Sequence, residues 1–148
     1  MNTHTQKSDF EVLKGHQKAA WASGDYSAIG VTMQIVGELL AETLNLPAGS
    51  QVLDVASGNG STSLAFARQF HDVVSTDFVD ALLEKGAQRA AAEGFAIEFE
   101  TADAENLPFD DKAFDAVVST FGVMFAPSQT QVAQEMLRIV EDWPSDAR

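Results

Sequence analysis

A short apolar segment followed at once by a glycine-containing turn is the feature of this chain that most constrains its fold. Residues 51–56 are apolar and β-branched around Asp54, as expected of a strand that is buried on both faces. The turn at 57–60 contains Gly58 and Gly60 and leads into residues with helical spacing. Glycine lets the backbone turn sharply and leaves room for a ligand, and the first turn of a helix offers free N–H groups to an anion. The pattern predicts a strand, a turn and a helix, with a ligand at the turn.

The same alternation continues through the rest of the chain. Further strands are predicted at about 72–77, 96–101 and 114–120, and further helices at about 79–93 and after Pro127. Strands that alternate with helices imply a parallel sheet joined by right-handed crossovers. The sequence therefore predicts an α/β fold with a Rossmann-like, doubly wound and mostly parallel sheet.

The chain before the first strand is predicted to be largely helical. Residues 1–8 are polar and patternless, which favours a disordered tail. Apolar residues between 9 and 22 indicate a helix that is broken near Gly15. A second helix is predicted at about 29–44, where apolar side chains recur at helical spacing.

Composition excludes several classes of function. A formal net charge of -13 leaves no surplus of Lys and Arg for the phosphates of nucleic acid or for an anionic membrane. The absence of cysteine excludes disulfides, thiolate nucleophiles and zinc–thiolate sites. The histidines, His4, His16 and His71, have no metal-ligand spacing. Because the sequence shows neither a signal pattern nor an apolar run of about 18 residues, we expect a cytoplasmic protein without membrane insertion or a bound metal.

Three aspartates stand at comparable places along the predicted strands. Asp54 lies inside the first strand, Asp77 closes the second, and Asp103 follows the third. The carboxyl ends of parallel strands meet at one edge of the sheet, where doubly wound domains bind their ligands. At that edge Asp77 can accept from both hydroxyls of a ribose, and Asp103 from the exocyclic amine of an adenine. Each aspartate alone could equally be a cap or turn residue, but the three in register favour an adenosyl ligand.

A pair of glycines after a strand also occurs in nucleotide-dependent oxidoreductases. Their fingerprint, G-x-G-x-x-G/A, needs a glycine or alanine where this chain has Ser63. Ser63 and Asp103 therefore disfavour an oxidoreductase, which stays the less favoured alternative.

Four segments together resemble one family. Residues 52–60 resemble the first motif of the class I S-adenosylmethionine-dependent methyltransferases, and residues 114–119, with Phe109, resemble their fourth-strand region. Residues 103–109 and 21–26 are similar to the adenine-side segment and the lid of the branch related to ubiquinone and menaquinone biosynthesis. The resemblance implies S-adenosylmethionine as cofactor and a small-molecule methyl acceptor. It also implies in-line methyl transfer, to which a protein contributes mainly proximity and orientation.

The resemblance implies roles for residues around the methionine portion of the cofactor. Ala56, Gly58 and Gly60 would shape the loop, with Ala56 in the place of the usual first glycine. Asp54 would reach the amino group of the cofactor, directly or through water. Tyr26, in the lid segment, would contact the cofactor.

It also implies roles around the adenosine portion. Asp77 would hold the ribose, and Phe78 would pack on the adenine ring. Asp103 would contact the adenine edge through its side chain, and Ala104 through its backbone.

Thr120 and Phe121, at the end of the fourth strand, would border the methyl donor. No catalytic residue is implied, because a base is needed only where the acceptor must lose a proton. His16 is the only histidine that we would nominate as such a base, although a surface role is favoured for it.

The resemblance divides the chain into a disordered tail at 1–8, a helical lid at 9–46 and a partial cofactor-binding domain at 47–148. Family members continue with strands that complete a seven-stranded sheet, and we expect this chain to lack them. The strand at 114–120 would then lie at an open edge, from which we expect a homodimer. A non-catalytic or degenerate S-adenosylmethionine-binding module is the main alternative to an active enzyme.

Overall fold

The computed structural model describes residues 3–23 and 33–142, in which helices and strands alternate. The helices are α1 (Thr3–Ser23), α2 (Gln34–Leu44), α3 (Ser61–Arg68), α4 (Asp80–Glu93) and α5 (Gln129–Ile139). The strands are β1 (Gln51–Val55), β2 (Asp72–Asp77), β3 (Glu98–Thr101) and β4 (Ala116–Val118). A short 3-10 helix, Gly122–Phe125, follows β4.

The strands form a parallel sheet in the order β3-β2-β1-β4. Leu53 of β1 lies opposite Val74 of β2 on one side and opposite Val117 of β4 on the other. The chain runs outward from β1 to β3 and then returns past β1 to form β4. This reversal beside β1 is the switch point at which doubly wound domains bind ligands. The predicted Rossmann-like, doubly wound α/β fold is confirmed.

Apolar side chains fill the core on both faces of the sheet. On one face, Phe66 of α3 and Ala41 of α2 pack with residues of β1 and β2. On the opposite face, Ile139 of α5 packs with Leu53 of β1. These four side chains have no exposed surface, and full burial of one as large as Phe66 contributes roughly 1.5–3 kcal/mol. Burial on both faces explains why β1 has so few polar residues.

The first helix differs from the prediction. α1 begins at Thr3, so residues 3–8, which we expected to be a disordered tail, are helical. A helix that has nucleated extends easily into neighbouring residues, and Gln6 and Lys7 are good helix formers. α1 also runs through Gly15 without a break, because one glycine inside a helix costs only about 1 kcal/mol.

The second helix belongs to the packed layer of the domain. Ala41 of α2 lies in the core, and Gly37 lies against Thr62 in the first turn of α3. Within the range 9–46 that we predict as a lid, α2 therefore packs against the core and against α3. The division of the chain into a lid and a domain stays a prediction.

β4 is shorter than the predicted strand at 114–120 and lies at one edge of the sheet. The N–H of Phe114 donates to Ile139 O at 3.2 Å, and the N–H of Glu141 donates to Phe114 O at 2.8 Å. The chain that leaves α5 therefore runs parallel to the residues just before β4 and pairs with them at Val140. This pairing protects the beginning of the edge that we expected to be open.

Three predicted features lie outside the described residues: Tyr26, the start of the second helix at 29–32, and the C-terminal residues 143–148. Within residues 3–23 and 33–142, no helix has the length and apolar character needed to cross a membrane. The same residues contain no group of three or more His, Asp or Glu side chains that could hold a metal ion.

Two helical glycines should respond to alanine in opposite directions. A Cβ at Gly37 would lie 2.9 Å from both Cα and Oγ1 of Thr62. We expect Gly37→Ala to push α2 away from α3 and to lower the free energy of unfolding by about 1–3 kcal/mol. A Cβ at Gly15 would meet no atom within 4 Å, so Gly15→Ala should gain up to about 1 kcal/mol from helix propensity. Urea denaturation measures both changes, and equal shifts of the same sign would contradict the packing of α2 on α3.

Candidate functional site

A cavity of about 520 Å³ opens at the carboxyl ends of the strands, beside the switch point between β1 and β4. The segments that follow all four strands form its wall, and α1 lines a further part. The predicted site residues in this wall are Ala56, Gly58, Asp77, Phe78, Asp103, Ala104, Thr120 and Phe121. The structure therefore brings together residues that are far apart in the sequence and were predicted from separate motifs.

Asp77 ends β2 and holds the loop that follows β1. Its Oδ2 accepts from the N–H of Gly58 and its Oδ1 accepts from the N–H of Val79, both at 2.9 Å. Burial raises the pKa of Asp77, and the backbone N–H groups that donate to it oppose the rise. A carboxylate offers about four acceptor positions, so Asp77 retains capacity for further donors in the cavity.

The turn between β1 and α3 has left-handed backbone at three positions. The φ angles are 54° at Ala56, 58° at Gly58 and 84° at Gly60. Gly60 is the N-cap of α3 and shapes the turn from outside the cavity wall. Glycine adopts this conformation freely, whereas alanine adopts it at a cost of roughly 1–2 kcal/mol. Ala56 therefore carries backbone strain at the position where the resemblance expects glycine.

Asp54 lies beneath the loop and is not among the residues that line the cavity. Its Oδ2 accepts from Ser63 Oγ at 2.6 Å, and Ser63 Oγ lies 2.9 Å from Ser75 Oγ. Asp54 is 1% exposed, and both serines are fully buried. Burial raises the pKa of Asp54 to about 7; the Ser63 hydroxyl opposes the rise, and the charge of Asp77 adds to it. Ser63, which breaks the dinucleotide fingerprint, is thus the residue that pairs with Asp54.

The side chain of Asp103 accepts two hydrogen bonds at the cavity wall. Its Oδ1 accepts from the N–H of Glu105 at 2.9 Å, which fixes the turn after β3. Its Oδ2 accepts from Lys14 Nζ of α1 at 2.8 Å, and Lys14 Nζ also lies 3.5 Å from Glu105 Oε2. Burial lowers the pKa of Lys14, but the hydrogen bond and charge of Asp103, together with Glu105 and Glu11, outweigh it and raise the pKa overall. A cation from the first helix therefore sits between two acids of the wall.

The segment after β4 forms an apolar side of the cavity. Thr120 Oγ1 lies 3.3 Å from Thr62 Oγ1, which ties the end of β4 to the first turn of α3. The 3-10 helix then passes so close to the loop that a Cβ at Gly122 would overlap with Ala56 O. Apolar residues of this segment line the cavity: Phe121, Val123, Met124, Phe125, Ala126 and Pro127.

Arg89 of α4 supports the glycine turn from outside the cavity wall. Its guanidinium donates to Asn59 O at 3.2 Å and to Ser61 Oγ at 2.9 Å. A second nitrogen donates to Gln34 Oε1 of α2 at 3.3 Å. One side chain thus connects the turn, the start of α3 and the start of α2.

Sequence reasoning missed which residues of α1 line the cavity. Lys14 and Gln17 line the cavity, and Gln17 Nε2 donates to Phe125 O at 2.8 Å. Nothing in the sequence distinguishes Lys14 from Lys18 on the same helix, so only the structure identifies it. His16, the nominated base, is exposed and is not among the lining residues, and Tyr26 lies outside the described residues.

Comparison with known proteins gives these features a family. Residues 52–142 match the model of a methyltransferase domain. A solved protein of Methanococcus maripaludis, assigned as an S-adenosylmethionine-dependent methyltransferase, has the same fold with a TM-score of 0.67. The two proteins are 25% identical, and the matched region covers 74% of this chain and 51% of the Methanococcus protein. The chain belongs to the class I S-adenosylmethionine-dependent methyltransferases.

Other similar proteins match this chain over about half of their own length or less. An uncharacterised protein of Mycobacterium tuberculosis is 37% identical over 140 residues, which are 94% of this chain and 51% of the relative. A demethylmenaquinone methyltransferase of Clavibacter sepedonicus is 40% identical over 94 residues, which are 64% of this chain and 38% of the relative. The cyclase SpnF has the same fold with a TM-score of 0.69 at 26% identity. The matched region covers 73% of this chain and 41% of SpnF. The chain thus spans about half the length of its mycobacterial relative.

Replacing Ala56 by glycine should stabilise the folded chain. The change relieves left-handed strain of roughly 1–2 kcal/mol and costs roughly 0.5–1 kcal/mol of chain entropy. We expect Ala56→Gly to raise the free energy of unfolding by about 0.5–1 kcal/mol in urea denaturation. Ala87→Gly, at an exposed position in α4, is the matched control and should lower it by about 1 kcal/mol. A loss of stability in both variants would contradict the strain at Ala56.

The buried carboxyl of Asp54 should make the stability of the folded chain depend on pH. The folded protein holds the Asp54 proton up to a pKa of about 7, whereas the unfolded chain releases it near the ordinary value of 3.8. The stability that this proton supports is therefore lost as the pH rises from about 4 to about 7. Asn cannot titrate, so Asp54→Asn should become more stable relative to the wild type between pH 5 and pH 7, by up to about 3 kcal/mol. A stability difference that stays constant across this range in urea denaturation would refute the raised pKa.

Proposed function

We propose that the chain binds S-adenosylmethionine in the cavity and transfers its methyl group to a small molecule. One observation carries the proposal: two carboxylates from neighbouring strand ends, Asp77 and Asp103, line a single cavity together with the loop at Gly58. Carboxylates at these places suit the hydroxyls of a ribose and the amine of an adenine. Family membership supports the same cofactor.

The wall fits an amino acid joined to adenosine. Gly58 has no atom within 4 Å of the place where a Cβ would stand, so the loop leaves room for a ligand. The hydroxyl of Ser57, in the same loop, is buried and has no hydrogen-bond partner among the described residues. A buried hydroxyl without a partner is costly, and a polar ligand would relieve that cost. The contact of Asp54 with the amino group of the cofactor stays a prediction.

The residues of the wall bind and orient, and they exclude water. When bound, the cofactor would supply a methyl group on a positively charged sulfur: a nucleophilic acceptor bonds to the methyl carbon in line with the carbon–sulfur bond, which breaks and leaves a neutral thioether. In our proposal Asp77 holds the ribose, Phe78 packs on the adenine ring, and Asp103 and Ala104 meet the adenine edge. In our proposal α1, which lines part of the cavity, helps to exclude water and so favours a reaction in which the sulfur loses its charge. Proximity and orientation then supply most of the rate, without a fixed base.

The apolar side of the cavity supports a small-molecule acceptor. Phe121, Met124 and Phe125 line it and keep 39%, 57% and 44% of their surface exposed. Exposed apolar surface at a cavity favours a ligand with an apolar part. The name of the Clavibacter relative, which refers to demethylmenaquinone, is in keeping with such an acceptor.

A second candidate is a protein that binds the cofactor without transferring its methyl group. The similarity to SpnF, whose name is that of a cyclase, favours this candidate, because one fold can carry different chemistry. The residues of the cavity wall would bind the cofactor equally well in a methyltransferase and in a protein that only binds it. Methyl transfer itself decides between them.

We also propose a cytoplasmic homodimer. In the described part of the chain, Ala116–Val118 of β4 pairs with β1 on one side, while pairing on the outer side is found at Phe114. An unpaired outer edge is a surface on which a second copy can add its own strand. Both the homodimer and the location stay predictions.

Calorimetric titration of the protein with S-adenosylmethionine and with NAD tests the proposed cofactor. We expect S-adenosylmethionine to bind and Asp77→Asn to weaken it at least about tenfold, because the variant loses the charge that attracts the ribose hydroxyls. Asp72→Asn, at the exposed opposite end of β2, is the matched control and should bind like the wild type. Binding of NAD alone would refute the proposal.

Transfer of a labelled methyl group to quinone-like, phenolic and amine acceptors tests the reaction. Labelled product from one acceptor class supports the methyltransferase. Cofactor binding without product from any of the three classes favours the second candidate.

A further inference from the structure

The first helix places a charged side chain inside the wall of the cavity. Lys14 lines the cavity, and its side chain is 18% exposed. It donates to Asp103 Oδ2 at 2.8 Å and also lies 3.5 Å from Glu105 Oε2. The two acids belong to the turn after β3, which is far from α1 in the sequence. A lysine that is mostly removed from water and placed between two acids forms a specific contact with the wall.

This contact fixes the direction of the Asp103 carboxylate. The N–H of Glu105 holds Oδ1 and Lys14 holds Oδ2, so both oxygens are oriented before a ligand arrives. Without the cation, the carboxylates of Asp103 and Glu105 would repel each other across the turn. The Asp103 side chain is 43% exposed and would then be free to rotate towards water. An oriented carboxylate discriminates better between a donor and an acceptor on a base edge than a rotating one does.

A second contact of α1 holds Lys14 in its position beside Asp103. Gln17, about one turn further along α1, donates from Nε2 to Phe125 O at 2.8 Å. Lys14 thus anchors α1 to the wall after β3, and Gln17 anchors it to the wall after β4. Two anchors on one helix face fix both its position and its rotation.

We propose that Lys14 is a positioning residue that orients Asp103 towards the adenine edge and thereby sets the selectivity of the site for adenine. The inference rests on the proposed function and goes beyond it, since it assigns a role to a residue outside the family motifs. Lys14 acts through Asp103. Its removal should therefore weaken a ligand that offers an amine to Asp103 more than a ligand that offers a carbonyl.

A double-mutant cycle with two ligands tests the role of Lys14. S-adenosylhomocysteine and its inosine analogue, which has a carbonyl in place of the amine, are titrated calorimetrically into the full chain. We expect Lys14→Met to weaken the binding of S-adenosylhomocysteine by roughly threefold to tenfold, the range of a partly exposed charged pair. The affinity for the inosine analogue should change much less. In the Asp103→Asn background the same substitution should have little effect. Lys14→Arg should restore most of the selectivity.

Lys18→Met is the matched control because it removes the same charge from an exposed position on the same helix. Equal losses from Lys14→Met and Lys18→Met would overturn the inference, since a general effect of charge or helix stability would then explain both. An equal loss in the wild-type and Asp103→Asn backgrounds would also overturn it, because Lys14 would not act through Asp103. If the wild type binds neither ligand, the proposed function fails as well. That result differs from one in which the wild type binds but Lys14→Met has no selective effect.

Discussion

The carboxylate of Asp77 is the interaction on which the rest of the site depends. Its two oxygens accept from the N–H of Gly58 in the loop after β1 and from the N–H of Val79 at the entry to α4. The ends of β1 and β2 are thereby joined beside the cavity. A bare loop with left-handed residues has many conformations, and the charged acceptor selects one of them. The same side chain lines the cavity and has further positions at which it can accept hydrogen bonds from a ligand.

A buried polar layer supports the loop from below. Asp54 and Ser63 hydrogen-bond to each other, Ser75 lies beside them, and Thr76 Oγ1 donates to Asp54 O at 3.2 Å. Burying these groups costs free energy unless each has a partner, and here they satisfy one another within an otherwise apolar sheet. The layer links β1, β2 and the first turn of α3. Rigid support of this kind lets a loop hold a ligand without first ordering itself.

Much of the fold and part of the site could be predicted from the sequence. The apolar strands, the glycine turn and the helical spacing are local patterns, so β1, β2 and α4 were found with nearly correct bounds. Asp77 and Asp103 could be placed at the cavity because parallel strands end at one edge. The role of Lys14 could not be predicted, because it depends on where α1 packs and not on any local pattern. The pairing of Ser63 with Asp54 was missed for the same reason, since the sequence shows Ser63 only as a departure from a fingerprint.

In our proposal the cavity is a cofactor site with two fixed carboxylates, lined in part by the first helix and bordered by an apolar segment after β4. A crystal structure of the protein with S-adenosylhomocysteine tests this claim most directly. We expect the ribose hydroxyls within hydrogen-bond distance of the Asp77 carboxylate and the adenine amine within the same distance of Asp103, with Lys14 still bonded to Asp103. An adenosine bound away from Asp77, or Lys14 and α1 displaced by the nucleoside, would contradict it.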